Sequence, residues 1–481
     1  MRFSNLAFVP ALTLSLFAGV AHAESESASA FEARLSKELA VAGGLTADAL
    51  AASAVSTSYS MQAKRAQVDA AAASASKAEW GYLPRVTVGA RYTRLSSIGT
   101  PVLGSLAAAP GISSGPIPDG TQLYSVPLSF PQILNQYSLT AGVLVPVSDY
   151  FLRVAPATEA SDLNERAARL DVDSNARAIA TDARGLYYGW VGARLSVIVA
   201  EASLETARAH GEDVKHALDA GTASPADKLR VDSLIADAER MLESARHSAL
   251  DLEEQIRIAR HDADGASYAI GEDVRGEVAP GALPDDLRAL VRFAFEHRPE
   301  LQAMSARSEA AARAVKLERA AYWPRLDVFA NAQYANPNQR YFPQRDEFKA
   351  TWDAGAQLTW VVTDIPGAAA AAKSADANAL ALQSEARSLQ DRIRRDVSTA
   401  LQARLDARAS LRTSKISLEA AEESYRVRRA LFQNGRATST ELTDAELELT
   451  RARLNSLSAG LQLRMATARL LFAVGEGKPS A

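Results

Sequence analysis

The sequence predicts a mainly α-helical fold with a transmembrane β part, built as two structural repeats. Four strands per protomer contribute to an oligomeric β-barrel, and long antiparallel coiled-coil helices continue it as an α-barrel. Three observations predict this: an internal repeat across the 481 residues, four segments of alternating polarity, and two long helical stretches without a convincing breaker.

The repeat is read from spacing. Met61-Gln62-Ala63 is echoed by Leu301-Gln302-Ala303, and Pro84-Arg85 by Pro324-Arg325, both 240 residues on. Ala141-Gly142 then matches Ala354-Gly355 at a shift of 213, and Gly221 matches Gly435 at 214. The second half is therefore about 27 residues shorter, and the difference falls in the loop between its two strands. The expected organisation is a signal peptide at 1–23, a first repeat at 24–280, a second at 281–475 and a tail at 476–481. Each repeat reads helix, strand, loop, strand, long helix, turn, helix.

The N-terminal segment carries Arg2, then an apolar run from Leu6 to Val20, then Ala21-His22-Ala23 as a small-x-small cleavage site. That pattern is a secretory signal, and the run is too short for a spanning helix. No later stretch has roughly 18 consecutive apolar residues. A second membrane crossing must therefore use strands.

Strands are expected at 85–95 and 137–147 around the Gly-, Pro- and Ser-rich loop 96–136, and at 325–334 and 351–362 around loop 335–350. Period-two alternation places Val86, Val88 and Tyr92 on one face of the first strand, and Val143 and Val145 on one face of the second. Val328 stands in the third, with Trp352, Leu358 and Trp360 in the fourth. These nine residues are the expected lipid-facing set. A soluble sandwich shows the same alternation in any one strand. Here, however, the segments have the length of tilted membrane strands and carry aromatics near their ends. Four strands cannot close a barrel, and an open edge is not tolerated in lipid, so the protomer must oligomerise.

Helix is expected from Arg153 to about Leu218 and from Ala368 to Phe432, each roughly 100 Å at 1.5 Å per residue. Helices this long need partners along their length. Ala445, Ala452, Ala459 and Ala466 step by seven beside Leu447, Leu454, Leu461 and Ala468, which marks a left-handed supercoil seam. Glu446, Glu448, Arg451 and Arg453 are expected between the seam lines as exposed charges. At the turns, Gly221 and Gly435 end one helix. Ser224 and Thr438 then cap the next, with Asp227 and Glu441 at the capping-box position and Pro225 at the first helical position. Capping accounts for both acids, which in an oligomer would also form acidic rings at a tunnel mouth. Asp444 lies beyond the capping register and is the better candidate for gating, and Arg436 is placed to pair with one of these three acids.

The order and spacing of several short motifs resemble the TolC-like outer-membrane factor family. His297-Arg298-Pro299-Glu300-Leu301-Gln302 is similar to its helix-opening motif. Gly81-Tyr82-Leu83-Pro84-Arg85 and Tyr322-Trp323-Pro324-Arg325-Leu326 resemble its helix-to-strand junctions. Phe432 through Ala445 resembles its second periplasmic turn. The resemblance spans about Leu45 to Val474. It implies a homotrimer in outer-membrane lipid, with its helical part in the periplasm. It also implies a passive channel of a tripartite efflux pump, exporting small molecules with a periplasmic adaptor (membrane fusion) protein and an inner-membrane pump. The periplasmic entrance would comprise Asp227, Phe432, Arg436, Glu441 and Asp444, with Phe432, Glu441 and Asp444 at the positions that close the family's tunnel. In this chain Glu441 replaces a family aspartate, and Arg436 follows Gly435 immediately. A conduit for type I protein secretion is the near alternative. A periplasmic coiled-coil adaptor or scaffold is the alternative from a different class.

Other classes are excluded on composition. Lys and Arg total 53 against 57 Asp and Glu, so no basic surface invites nucleic acid. There is no cysteine, hence no disulfide, thiolate metal site or thiol nucleophile. The histidines lack the helical metal-binding spacing, and no phosphate or dinucleotide loop is present. An enzyme, a cofactor and a metal are accordingly not expected.

Overall fold

The computed structural model describes residues 31–98, 104–111, 114–127, 132–276 and 284–477. The expected signal peptide and most of the expected tail lie outside the described residues. In chain order the elements begin with α1 (31–38), α2 (Ala47–Thr57) and α3 (Tyr59–Glu79). Strands β1 (Arg85–Arg94), β2 (Ser105–Ala108), β3 (Tyr124–Pro127) and β4 (Asn135–Val145) come next. Then follow α4 (Val147–Asp149), α5 (Ala155–Asp219), α6 (Pro225–Arg260), α7 (Leu287–His297) and α8 (Pro299–Arg319). The chain ends with β5 (Arg325–Asn336), β6 (Lys349–Thr359), α9 (Ile365–Gln433) and α10 (Ser439–Ala473). The described residues divide into two compact units, one within 1–69, 166–305 and 384–481 and the other within 70–165 and 306–383.

The second unit holds a four-stranded antiparallel sheet in the order β1-β4-β5-β6. Its register keeps the two faces coherent. Val86 lies opposite Val143, Val143 opposite Ala330, and Ala330 opposite Ala354. Likewise Val145 meets Val328, which meets Ala356, and Leu326 meets Leu358. Because side chains alternate across each strand, the apolar positions of all four fall on one face. The other face carries Thr87, Thr140, Asn331 and Asp353. Pro146 follows β4, since its missing N–H cannot continue a ladder. The alternation runs on to Val147, but the chain turns there into α4 and a π-helical turn, Tyr150–Val154. The corner is braced by charge: Arg325 Nε lies 2.8 Å from Asp327 Oδ1 and 3.5 Å from Asp149 Oδ2, and Arg153 lies 2.6 Å from Asp149. The long first loop contains a feature with no strong alternation, the β2–β3 hairpin, in which Ser105 lies opposite Pro127.

The first unit is helical. It takes in most of α5, a helix of 65 residues, and of α9, a helix of 69, each a contour of about 100 Å. Both have proline as their second residue: Pro156 follows the π-helical turn, and Pro366 follows a 3-10 turn, Val362–Asp364. The main core packs Tyr187, Trp190, Val191, Leu195 and Val199 of α5 against Leu50 of α2, Ile256 of α6 and Leu461 of α10. Each fully buried leucine or isoleucine there contributes roughly 1.5–3 kcal/mol. A second cluster joins Leu290 and Ala294 of α7 to Ile393, Val397 and Leu401 of α9 and Leu470 of α10. Along α10 the alanine line Ala445, Ala452, Ala459 and Ala466 is buried throughout, which fits close helix approach. The leucine line is graded: Leu447 is exposed and Leu461 buried. Among the described residues no helix is long and apolar enough to cross a membrane.

Candidate functional site

The two helical turns are built alike. Gly221 takes φ +77° and Gly435 φ +66°, the left-handed region that a side chain disfavours. Gly221 N–H donates to Leu218 O and Thr222 N–H to Ala217 O; Gly435 N–H donates to Phe432 O and Arg436 N–H to Leu431 O. Each is a Schellman closure. A reciprocal capping box follows at once. Asp227 N–H donates to Ser224 Oγ at 3.2 Å, and Ser224 N–H returns to Asp227 Oδ2 at 2.9 Å. Glu441 N–H donates to Thr438 Oγ1 at 3.3 Å, and Thr438 N–H returns to Glu441 Oε2 at 2.8 Å. The Ser224 bonds hold the Asp227 carboxyl below its usual range. The Thr438 bonds, then Arg428 at 3.0 Å, do the same for Glu441.

Asp227, Phe432, Arg436 and Glu441 come together in one open cleft of about 920 Å³, with Asp213 and His216. Asp444 is not among its lining residues and is exposed on α10. Arg230 of α6 donates to Thr440 Oγ1 of α10, a direct tie between the two repeats at this end.

Beneath the cleft lies a polar cluster that local sequence patterns do not announce. His210 of α5 is buried; its Nδ1 lies 3.0 Å from Glu446 Oε2 and its Nε2 3.2 Å from Ser439 Oγ. In the neutral ring Nδ1–H donates to the carboxylate, and Nε2 accepts from the serine hydroxyl. The Phe432 ring meets the imidazole edge-on, centroids 5.5 Å apart. The sequence places Glu446 in an exposed run of charges, but it is buried, because the helix rotates it toward α5. Burial pushes its carboxyl up, against the pull of the His210 hydrogen bond. Arg453, from the same run, lies over the Phe31 ring at 4.2 Å.

In the sheet unit, Val86, Val88, Tyr92, Val143, Val328, Trp352 and Leu358 are all exposed on the apolar face. Val145 is half-buried, and Trp360 stands just beyond the end of β6. Val88 at 83% and Trp352 at 76% exposure are more open to solvent than a water-soluble sheet tolerates across a whole face. Strands β1 and β6 have no partner on their outer sides among the described residues.

A sheet with one exposed apolar face and two open edges, on a chain of very long helices, defines a membrane channel component. The family model for outer membrane efflux proteins matches residues 50–260 and 290–476, and the chain belongs to that family. It is an outer-membrane efflux channel and not an enzyme. The toluene efflux pump outer membrane protein TtgC of Pseudomonas putida is 22% identical over 367 residues, which cover 72% of this chain and 70% of TtgC. Among solved structures, the Campylobacter jejuni CmeC outer membrane channel superposes with a TM-score of 0.72 at 12% identity, covering 90% of this chain and 87% of CmeC. The open-state MtrE outer membrane channel of Neisseria gonorrhoeae gives 0.71 at 17% identity, covering 90% and 89%. The Ser439–His210–Glu446 chain has the connectivity of a hydrolytic triad, but its serine is buried in helix packing and serves as a structural tie.

Proposed function

We propose that this protein is the passive outer-membrane channel of a tripartite efflux pump, assembled as a homotrimer after removal of residues 1–23. Three copies would close β1 of one protomer on β6 of the next into a barrel of about twelve strands. The carrying observation is the coherent apolar face bounded by two open edges, an arrangement that lipid permits only in a closed ring. Val86, Val88, Tyr92, Val143, Val145, Val328, Trp352, Leu358 and Trp360 then meet the acyl chains or the interface. Small-molecule export is supported by the similarity to TtgC, a toluene efflux pump component. A periplasmic adaptor and an inner-membrane pump would supply drive, because the sequence contains no phosphate-binding loop with which to use a nucleotide. The turn residues Asp227, Phe432, Arg436 and Glu441, with Asp444 beside them, form the periplasmic entrance.

The test is the mass of the purified protein in detergent together with membrane fractionation. A trimer in the outer-membrane fraction is expected, and a monomer in the periplasm would overturn the reading. Val88→Arg and Val143→Arg each place a charge on the proposed lipid face, at about 2–4 kcal/mol per copy near the midplane. Both variants are expected to be lost from the outer membrane. Normal assembly of either would contradict the barrel.

A further inference from the structure

The polar face of the sheet is not electrically neutral. Its strand residues carry Arg85, Arg91, Arg325 and Lys349 against Asp327 and Asp353. Both carboxylates are matched locally. Asp327 lies 2.8 Å from Arg325, and Asp353 lies 2.7 Å from Arg340. Lys349 has Glu347 at 3.3 Å. Arg85 and Arg91, both exposed on β1, have no ion-pair partner among the described residues, and stand opposite Leu144 and Ser138 of β4. They are the unbalanced charges of this face. Six residues apart on one strand, they are separated by roughly 20 Å. That exceeds the Debye length of about 8 Å at physiological salt, so each acts on its own zone.

On the barrel reading proposed above, on which this rests, the polar face lines the lumen. Each arginine then recurs once per protomer as a ring of positive charge. A wall of one sign in a narrow, low-dielectric passage concentrates the opposite ion. We infer that the lumen is anion-selective, that Arg85 and Arg91 set this preference, and that the favoured solutes are small anions bearing carboxylate or sulfonate groups. The helical turns carry one exposed acid per protomer, Asp444, against these two arginines. Glu441 there faces Arg428, and Arg230 acts on Asp227.

The experiment is single-channel recording of the full protein in planar bilayers across a KCl gradient, with the reversal potential as readout. The wild type is expected to pass chloride in preference to potassium. The double variant Arg85→Gln, Arg91→Gln should lower the anion-to-cation permeability ratio by roughly twofold or more. The double variant Arg85→Lys, Arg91→Lys keeps the charge and should keep the ratio, which separates charge from any effect on assembly. A cation-preferring wild type, or an unchanged ratio in the glutamine variant, would overturn the inference while leaving the channel intact. A wild type without conductance steps would overturn the barrel reading, and the selectivity with it.

Discussion

His210 occupies a position where helix packing alone would favour alanine or leucine. It is buried, as is its partner Glu446 on a helix from the other repeat. A buried polar group is tolerated only when its hydrogen bonds are made, and here both ring nitrogens are satisfied. His210→Ala leaves Glu446 without its donor and opens a cavity beside Phe432. It is expected to destabilise the protein by about 2–4 kcal/mol, read as a lower midpoint in thermal or denaturant unfolding. The sign of the pH dependence is opposite for two acids. Glu446 has a raised folded pKa, so its contribution is fully present below the unfolded value and is lost as pH rises through the folded one. Asp227 has a lowered folded pKa, so its contribution is present above the unfolded value and is lost as pH falls through the folded one. Glu446→Gln should therefore flatten the loss of stability on going from mildly acidic to neutral pH, whereas Asp227→Asn should flatten the loss below the carboxylate range. An unchanged pH profile for Glu446→Gln would argue that its burial carries no electrostatic penalty.

At the scale of elements, what could be read in advance depended on how local the cause was. The turns were legible because Gly221, Ser224 and Asp227, like Gly435, Thr438 and Glu441, solve a problem within seven residues: ending one helix and starting the next. The sheet faces were legible because a period of two is written into each strand, and the register then multiplies it across four. The His210–Glu446 tie was not legible, since its partners lie 236 residues apart and only tertiary packing rotates Glu446 inward. The β2–β3 hairpin was hidden for another reason: its strands, Ser105–Ala108 and Tyr124–Pro127, are four residues each, too short to show a period. Asp444 illustrates a third case. Its position past the capping register is plain in the sequence, yet the cleft forms without it. As an exposed acid repeated around a proposed entrance, it adds repulsion or recruits cations rather than packing. Asp444→Ala is expected to raise single-channel conductance with little change in unfolding midpoint. Wild-type conductance in that variant would remove Asp444 from the gate.

For the whole molecule, the proposed ring would make the assembly, and not the protomer, the unit of stability. Among the described residues, the sheet of one chain leaves a row of backbone donors and acceptors unpaired along β1 and another along β6. In water such edges invite aggregation, and in lipid they are untenable. Closure of the proposed ring satisfies both rows at once. The helical unit shows no such incompleteness within its own core: its large apolar side chains, Trp190, Tyr187 and Leu195, are already buried in a single chain.

The two open edges also have a genetic consequence. The proposed ring, whose every seam would join unlike edges, would admit no substitute for a faulty member, because each copy would serve two neighbours. Co-expressing wild-type protein with an equal amount of a chain whose outer β1 edge is blocked, for example by Ala90→Pro, should leave about one eighth of randomly mixed copies of the proposed trimer wholly wild-type. Such an allele would behave as dominant, and the export that remains would follow the cube of the wild-type fraction rather than the fraction itself.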